Sequence, residues 1–219
     1  NRRAVEYGLR VALALKCEVA PLSIFARKNY FYPDLPKGYQ ISQYEQPLAR
    51  NGRLVIQTSQ GERVIRIRRV HLEEDTGKLT HCRANGENYS LVDLNRAGVP
   101  LLEIVSEPDL RSAEEVRLYA MALRSLLRYL RVNSGDMQKG VMRVEPNVSI
   151  RLPDSPTLGV RTEIKNLNSF RALERAVAYE IQRQSEILSR GEEVIQETRG
   201  WDEAQSKTFV QRTKEEAED

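Results

Sequence analysis

Apolar positions recur at helical spacing at the start of the chain, where Asn1 stands in place to cap a helix whose stripe is Val5, Leu9, Ala12 and Leu13. That stripe has no preceding element to pack on, so the chain reads as part of a longer protein. The pattern turns strand-like from 53 to 70, where Leu54-Val55-Ile56 and Val64-Ile65-Arg66-Ile67 lie around turn signals at Asn51-Gly52 and Gln60-Gly61. An apolar stretch from Leu91 to Val105, broken by Gly98 and Pro100, ends at Glu107-Pro108-Asp109, where Pro108 keeps Glu107 out of the helical region and marks a boundary. Ser112 and Glu115 form a capping box ahead of Val116, Tyr119, Leu123, Leu126, Leu127 and Leu130, which predicts a helix to about Arg131. Two alternating runs, Val141 to Arg151 and Leu158 to Lys165, flank Pro153-Asp154-Ser155-Pro156 and read as a hairpin. A second long helix is expected from Asn168 or Ser169, with Phe170, Leu173, Val177, Ile181 and Leu188 inward and Gly191 as its stop; residues 192 to 219 are polar. This irregular order predicts an α+β fold, an antiparallel or mixed sheet with flanking helices, and shows no internal repeat.

The hairpin is where chemistry first enters. Met142, Val144, Val148 and Ile150 alternate with Arg143, Glu145, Asn147, Ser149 and Arg151, and Leu158, Val160, Thr162 and Ile164 oppose Arg161, Glu163 and Lys165. A turn centred near Asp154 would set Glu145 opposite Glu163, and directly opposed like charges need a cation between them. Two readings stand: a solvated face on which Arg143 and Lys165 neutralise the pair, or a divalent ion on oxygen ligands, which suits Mg²⁺.

Two further segments concentrate reactive groups. His71-Leu-Glu-Glu-Asp75 packs an imidazole and three carboxylates after a strand-like run, and is either a solvated turn or half of a metal site. Alternation sends His71, Glu73 and Asp75 to one face and Glu74 to the other. From Arg27 to Tyr44 the chain holds four of its nine tyrosines among basic residues, Pro33, Pro36 and Gly38. That composition suits a loop that stacks on unpaired bases and meets phosphates, or one that folds onto its own core.

Composition narrows the classes. The 219 residues carry 40% hydrophobic and 30% charged side chains and a formal charge of +3, enough for one or two folded domains and too mild to signal a nucleic-acid partner by itself. No apolar run approaches the roughly 20 residues of a membrane span, so a soluble intracellular protein is expected, with no membrane partner. Cys17 and Cys82 offer neither a disulfide framework nor a cysteine zinc site. Neither phosphate-loop glycine pattern occurs, and His71 and His81 stand in no nucleophile-triad motif.

The segments Arg27 to Tyr44, His71 to Lys78, Leu91-Val-Asp-Leu-Asn-Arg to Glu-Pro-Asp109 and Glu163-Ile-Lys-Asn-Leu-Asn-Ser-Phe170 together closely resemble the B subunit of the tRNA-dependent amidotransferases, across essentially the whole chain. The resemblance implies a single catalytic cradle domain over 1–219, similar in fold to glutamine synthetase. It places a Glu-x-His pair and a zinc knuckle upstream and helical and tail domains downstream, so this stretch alone is expected to be inactive.

The implied chemistry is ATP-dependent amidation of Glu-tRNA(Gln) or Asp-tRNA(Asn) through an acyl phosphate, with Mg²⁺. Ammonia comes from the amidase subunit of the same enzyme, whose small third subunit is a further partner, in a cytoplasm or an organellar matrix. By motif the resemblance implies Glu74, Glu145 and Glu163 as metal ligands; Glu145 departs from the family's usual Asp. It implies Lys28, Glu73 and Lys165 as catalytic, Lys28, Arg143 and Arg161 at the nucleotide, and Tyr30, Tyr32, Lys37 and Tyr39 at the tRNA. A Mg²⁺-dependent RNA nuclease and a silent tRNA-binding scaffold are the alternative functions.

Overall fold

Asn1 caps α1 (Arg2–Ala14) by accepting the Arg3 N–H on its side chain at 3.0 Å, as the opening pattern predicts. The computed structural model describes residues 1–84 and 86–213. Helices and sheets segregate along the chain as an α+β architecture, with two four-stranded and two two-stranded sheets among the described residues. The chain forms two compact units, one of Asn1–Val55 with Val64–Asp109, the other of Ile56–Arg63 with the chain from Leu110 onward.

In the first unit the strands are β1 (Glu18–Val19), β2 (Ala26–Asn29), β3 (Tyr39–Ser42), β4 (Ala49–Thr58), β5 (Gly61–Glu74), β6 (Lys78–Ala84), β7 (Glu87–Asp93) and β8 (Pro100–Ser106). The main sheet has the order β1-β4-β5-β8, while β2-β3 and β6-β7 pair separately. Helix α1 buries Gly8, Val11 and Ala12, and Leu15 follows at its end. Leu13, expected inward, is 64% exposed, because the buried face is centred one step earlier, on Gly8 and Val11. Asn51-Gly52, expected as a turn, lies inside β4. Gly52 is needed there, since a Cβ would sit 2.3 Å from Cys17 Sγ and 2.7 Å from the Leu15 carbonyl oxygen. The Arg53 N–H donates to that same Leu15 carbonyl at 2.7 Å.

In the second unit α2 (Ala113–Tyr129) and α3 (Phe170–Ser189) accompany a mixed sheet of β9 (Asn147–Val148), β10 (Thr162–Lys165), β11 (Glu197–Asp202) and β12 (Lys207–Thr213), in the order β12-β11-β10-β9. Both helices start where the sequence predicts. Ser112 accepts from the Glu115 N–H at 3.1 Å and Ser169 from the Ala172 N–H at 3.0 Å. The core joins Ala120, Val148, Ile164, Leu167, Leu173, Ala176, Val177 and Trp201. Leu188, expected inward on α3, is 42% exposed, and that helix buries Glu180 and Gln184 completely.

The polar stretch after 192 holds two strands that its composition does not announce. Residues 197 to 201 are buried because Arg199 meets Glu197 at 2.5 Å and Glu180 of α3 at 3.7 Å. Residues 214–219 of that stretch lie outside the described residues.

Candidate functional site

Two groups of acidic and basic side chains are the candidates for chemistry, one in each unit. In the first unit β5 and β8 pair antiparallel with His71 opposite Glu103. Alternation along β5 brings Glu73 to the same face as His71. His71 Nε2 lies 3.1 Å from Glu73 Oε1 and 3.4 Å from Glu103 Oε2, and one ligand atom from each of the three falls within 4.8 Å of the others. The imidazole is 5% exposed. Burial alone would lower its pKa, but the Glu103 and Glu73 carboxylates outweigh that effect and raise it above the ordinary 6.5. Glu73 shifts the other way. Its burial is overcome by hydrogen bonds from His71 and Ser42 and by the nearby His71 and Lys28 charges, which hold it below 4.5. The Ser42 hydroxyl donates to Glu73 Oε1 at 2.9 Å.

Glu74 points away from this trio. Its Oε1 pairs with the Lys37 ammonium and accepts the Ile41 N–H at 2.9 Å. None of the three belongs to the expected ligand set of Glu74, Glu145 and Glu163: Glu73 is expected in a catalytic role, and His71 and Glu103 in none. The signal for His71 is its two-residue spacing from Glu73; the signal for Glu103 is the β5–β8 register, which a single sequence does not display.

The tyrosine-rich segment is a loop closed by two strands rather than loop throughout, for β2 and β3 pair with Lys28 opposite Gln40 and Asn29 opposite Tyr39. Leu35 is its buried anchor, while Phe31 is 93% and Tyr32 54% exposed. The Lys28 ammonium stands 5.7 Å from the Tyr30 ring centre. Arg27 and Lys37 lie 4.9 and 4.6 Å from the centre of Tyr39. Cations and flat rings are thus interleaved on an accessible segment. Burial, then Asp34 and Glu73, raise the Tyr30 pKa, so its hydroxyl stays protonated.

In the second unit the expected hairpin is realised only at its base. β9 and β10 pair antiparallel with Glu163 opposite Asn147, so Glu145 and Glu163 are not directly opposed and the expected register is corrected by two residues. The turn closes early, with the Ser155 N–H donating to the Leu152 carbonyl at 3.0 Å, and the longer arm from 156 to 161 shifts the pairing. Leu158 and Val160 consequently stay exposed.

A shift of two keeps every side chain on its face. Lys165 Nζ therefore reaches both acids, 3.1 Å from Glu145 Oε2 and 3.6 Å from Glu163 Oε1. The Thr198 hydroxyl donates to Glu163 Oε2 at 3.2 Å. Arg143 and Arg161 are exposed on the segments leading to these strands. A cation does sit between the two carboxylates, and in this structure it is Lys165.

A divalent ion fits the two groups differently. His71, Glu73 and Glu103 converge with a net negative charge and room for one ion among their ligand atoms. Glu145 and Glu163 already share an ammonium, so an ion between them competes with Lys165, and Glu74 is engaged by Lys37.

Each unit thus gathers carboxylates beside basic side chains. The sequence profile of the GatB/GatE catalytic domain matches residues 1–219, and the chain belongs to that family. It is 58% identical over 219 residues to the B subunit of an aspartyl/glutamyl-tRNA(Asn/Gln) amidotransferase from Moorella thermoacetica, covering all of this chain and 46% of that protein. Proteins of the same name from Persephonella marina and Myxococcus xanthus are each 55% identical over 219 residues, again covering all of this chain and 45% of theirs. The chain therefore spans a little under half the length of the curated relatives it matches. Among the described residues no helix is long and apolar enough to cross a membrane.

Proposed function

We propose that this chain is the catalytic portion of one subunit of an ATP-dependent amidotransferase. In this reading it activates the side-chain carboxylate of Glu-tRNA(Gln) or Asp-tRNA(Asn) as an acyl phosphate, which ammonia then displaces. The family match and the relatives' names support the substrate class. The observation that carries the chemistry is the convergence of His71, Glu73 and Glu103 within 4.8 Å. A cradle fold similar to glutamine synthetase, and partnership with an amidase subunit and a small third subunit, belong to the same reading.

A Mg²⁺ ion bound with ATP would screen the phosphate charge and polarise the transferring group. His71, Glu73 and Glu103 are the residues proposed to hold it. Hydrogen bonds from His71 and Ser42, with the nearby His71 and Lys28 charges, keep Glu73 ionised against its burial. Glu145 and Glu163 offer a second carboxylate pair, open to a cation when Lys165 moves off it, and Lys165 itself is a positive charge available to phosphate oxygens. Lys28 in the first unit and, separately, Arg143 and Arg161 in the second are each assigned a phosphate-binding role. Tyr30, Tyr32, Lys37 and Tyr39 are assigned to the acceptor end of the tRNA, where rings stack on unpaired bases. Glu74 stays on Lys37 and the Ile41 amide, shaping the loop that presents those rings.

Mn²⁺ binding to the full-length protein tests this reading. His71→Gln and Glu103→Gln should each weaken Mn²⁺ binding by at least about tenfold, since even outer-shell changes have that effect. Both should also stop tRNA-dependent ATP hydrolysis. Wild-type Mn²⁺ affinity in both variants would overturn the assignment.

A further inference from the structure

Both carboxylate oxygens of Glu163 face a named partner. Its side chain is 14% exposed, and one oxygen, Oε1, faces Lys165 at 3.6 Å. The other oxygen accepts the Thr198 hydroxyl at 3.2 Å. Thr198 is 1% exposed and lies on β11, which runs parallel to β10 with Thr198 as the Cα partner of Glu163. A threonine in that setting has a stiff χ1, so its hydroxyl has little freedom to turn elsewhere.

The backbone around Thr198 is itself fixed. The β11–β12 register slips between Thr198 and Arg199, the kind of irregularity that re-aims a side chain beside a functional residue. Arg199, the next residue, is held by Glu197 at 2.5 Å, by the Thr208 side-chain oxygen at 2.7 Å and by the Thr208 carbonyl at 3.0 Å. Glu180 of α3 accepts from the Thr208 hydroxyl at 3.1 Å and from Arg183 at 2.6 Å, which ties β12 and α3 to the same charge-balanced network. That network anchors the strand that carries Thr198.

We propose that Thr198 is a positioning residue for Glu163: its hydroxyl fixes the rotation of the carboxylate, so that one oxygen is presented to Lys165 or to a cation that replaces it. This rests on the proposed function, in which Glu163 acts at the site. Hydrogen bonds from outer partners orient carboxylate ligands in just this way, and losing them commonly costs one to two orders of magnitude in metal affinity or activity, roughly 10–100-fold.

The experiment uses the full-length protein in its assembled enzyme and follows tRNA-dependent ATP hydrolysis as Mg²⁺ is varied. Thr198→Val keeps shape and burial but removes the donor. It should lower kcat and raise the Mg²⁺ concentration for half-maximal rate, together by about tenfold. Thr198→Ser keeps the hydroxyl and should stay within about threefold of wild type, by the same scale. In a Glu163→Gln background, Thr198→Val should have no additional effect, because an amide offers no carboxylate to orient. If Thr198→Val fails to fold, Thr198→Ala removes the same hydroxyl without added bulk and carries the same expectations. Full activity in Glu163→Gln would overturn the part of the functional reading that places Glu163 at the site, and the positioning role with it. Loss in Glu163→Gln together with wild-type behaviour in Thr198→Val, or an additive loss in the double variant, would leave that reading standing and overturn the positioning role.

Discussion

His71 and Glu73 hold each other in opposite charge states, and the sign of each shift sets how the metal-free protein responds to pH. The His71 pKa is raised, so its contribution is complete below the unfolded value of 6.5 and is lost as pH rises through the folded one. The Glu73 pKa is lowered, so its contribution is complete above 4.5 and is lost as pH falls through the folded value. Both are therefore fully present between 4.5 and 6.5. Denaturant unfolding of metal-free protein across the range from about pH 4 to about pH 9 should lose stability above that window, and His71→Gln should flatten the alkaline limb. A limb unchanged in that variant would remove His71 as its cause. The same pair shows what a strand pattern tells at this scale. Alternation alone joins His71 to Glu73 and excludes Glu74, as the structure has them, whereas Glu103 enters through a β5–β8 partnership far along the chain.

Elements were legible where a local signal sets them. Ser112 sits at the N-cap its capping box names, Ser169 at one of the two starts expected for α3, and Gly191, with φ +75°, follows α3 where the stop is expected. Ser169→Ala should cost about 1 kcal/mol of stability by leaving the Ala172 N–H without its acceptor, read as a lower denaturation midpoint at unchanged slope. A shift no larger than that of a solvent-face substitution would show that the cap adds nothing beyond packing on α2.

What was not legible depended on partners far along the chain. β11 reads as polar because Glu197, Thr198 and Arg199 are polar, and it becomes interior only through Arg199 and the α3 carboxylate Glu180. The β9–β10 register moved by two because the arm after the turn is longer than the arm before it. Face survived that shift while pairing did not. This is why Lys165 bridges Glu145 and Glu163 although the acids are not opposed.

The boundary at Glu107-Pro108-Asp109 is where the division into two units falls, as Pro108 suggests, yet the division takes the tip of the β4–β5 hairpin with it. Residues 56–63 belong to the second unit because Ser59 donates to Glu114 through its N–H at 3.2 Å and its hydroxyl at 2.9 Å, and Arg63 meets Glu115 at 3.3 Å. No pattern in the hairpin itself announces those partners. The molecule as a whole is read through its ligand, and Lys28 is where a folding role and a binding role give different results. Lys28 is exposed on β2, close enough to Tyr30 for a cation–π contact at 5.7 Å and near enough to Glu73 to lower its pKa. If it meets a phosphate of the aminoacyl-tRNA, Lys28→Ala in the full-length enzyme should make the dependence of log affinity on log salt shallower by about one released counterion. The melting temperature should then stay close to wild type, because an exposed ammonium over one ring adds only about 0.5–1 kcal/mol. A lowered melting temperature with an unchanged salt slope would place Lys28 in the packing of its own hairpin, and the assignment of Tyr30 to the acceptor end would lose the cation that stands over its ring.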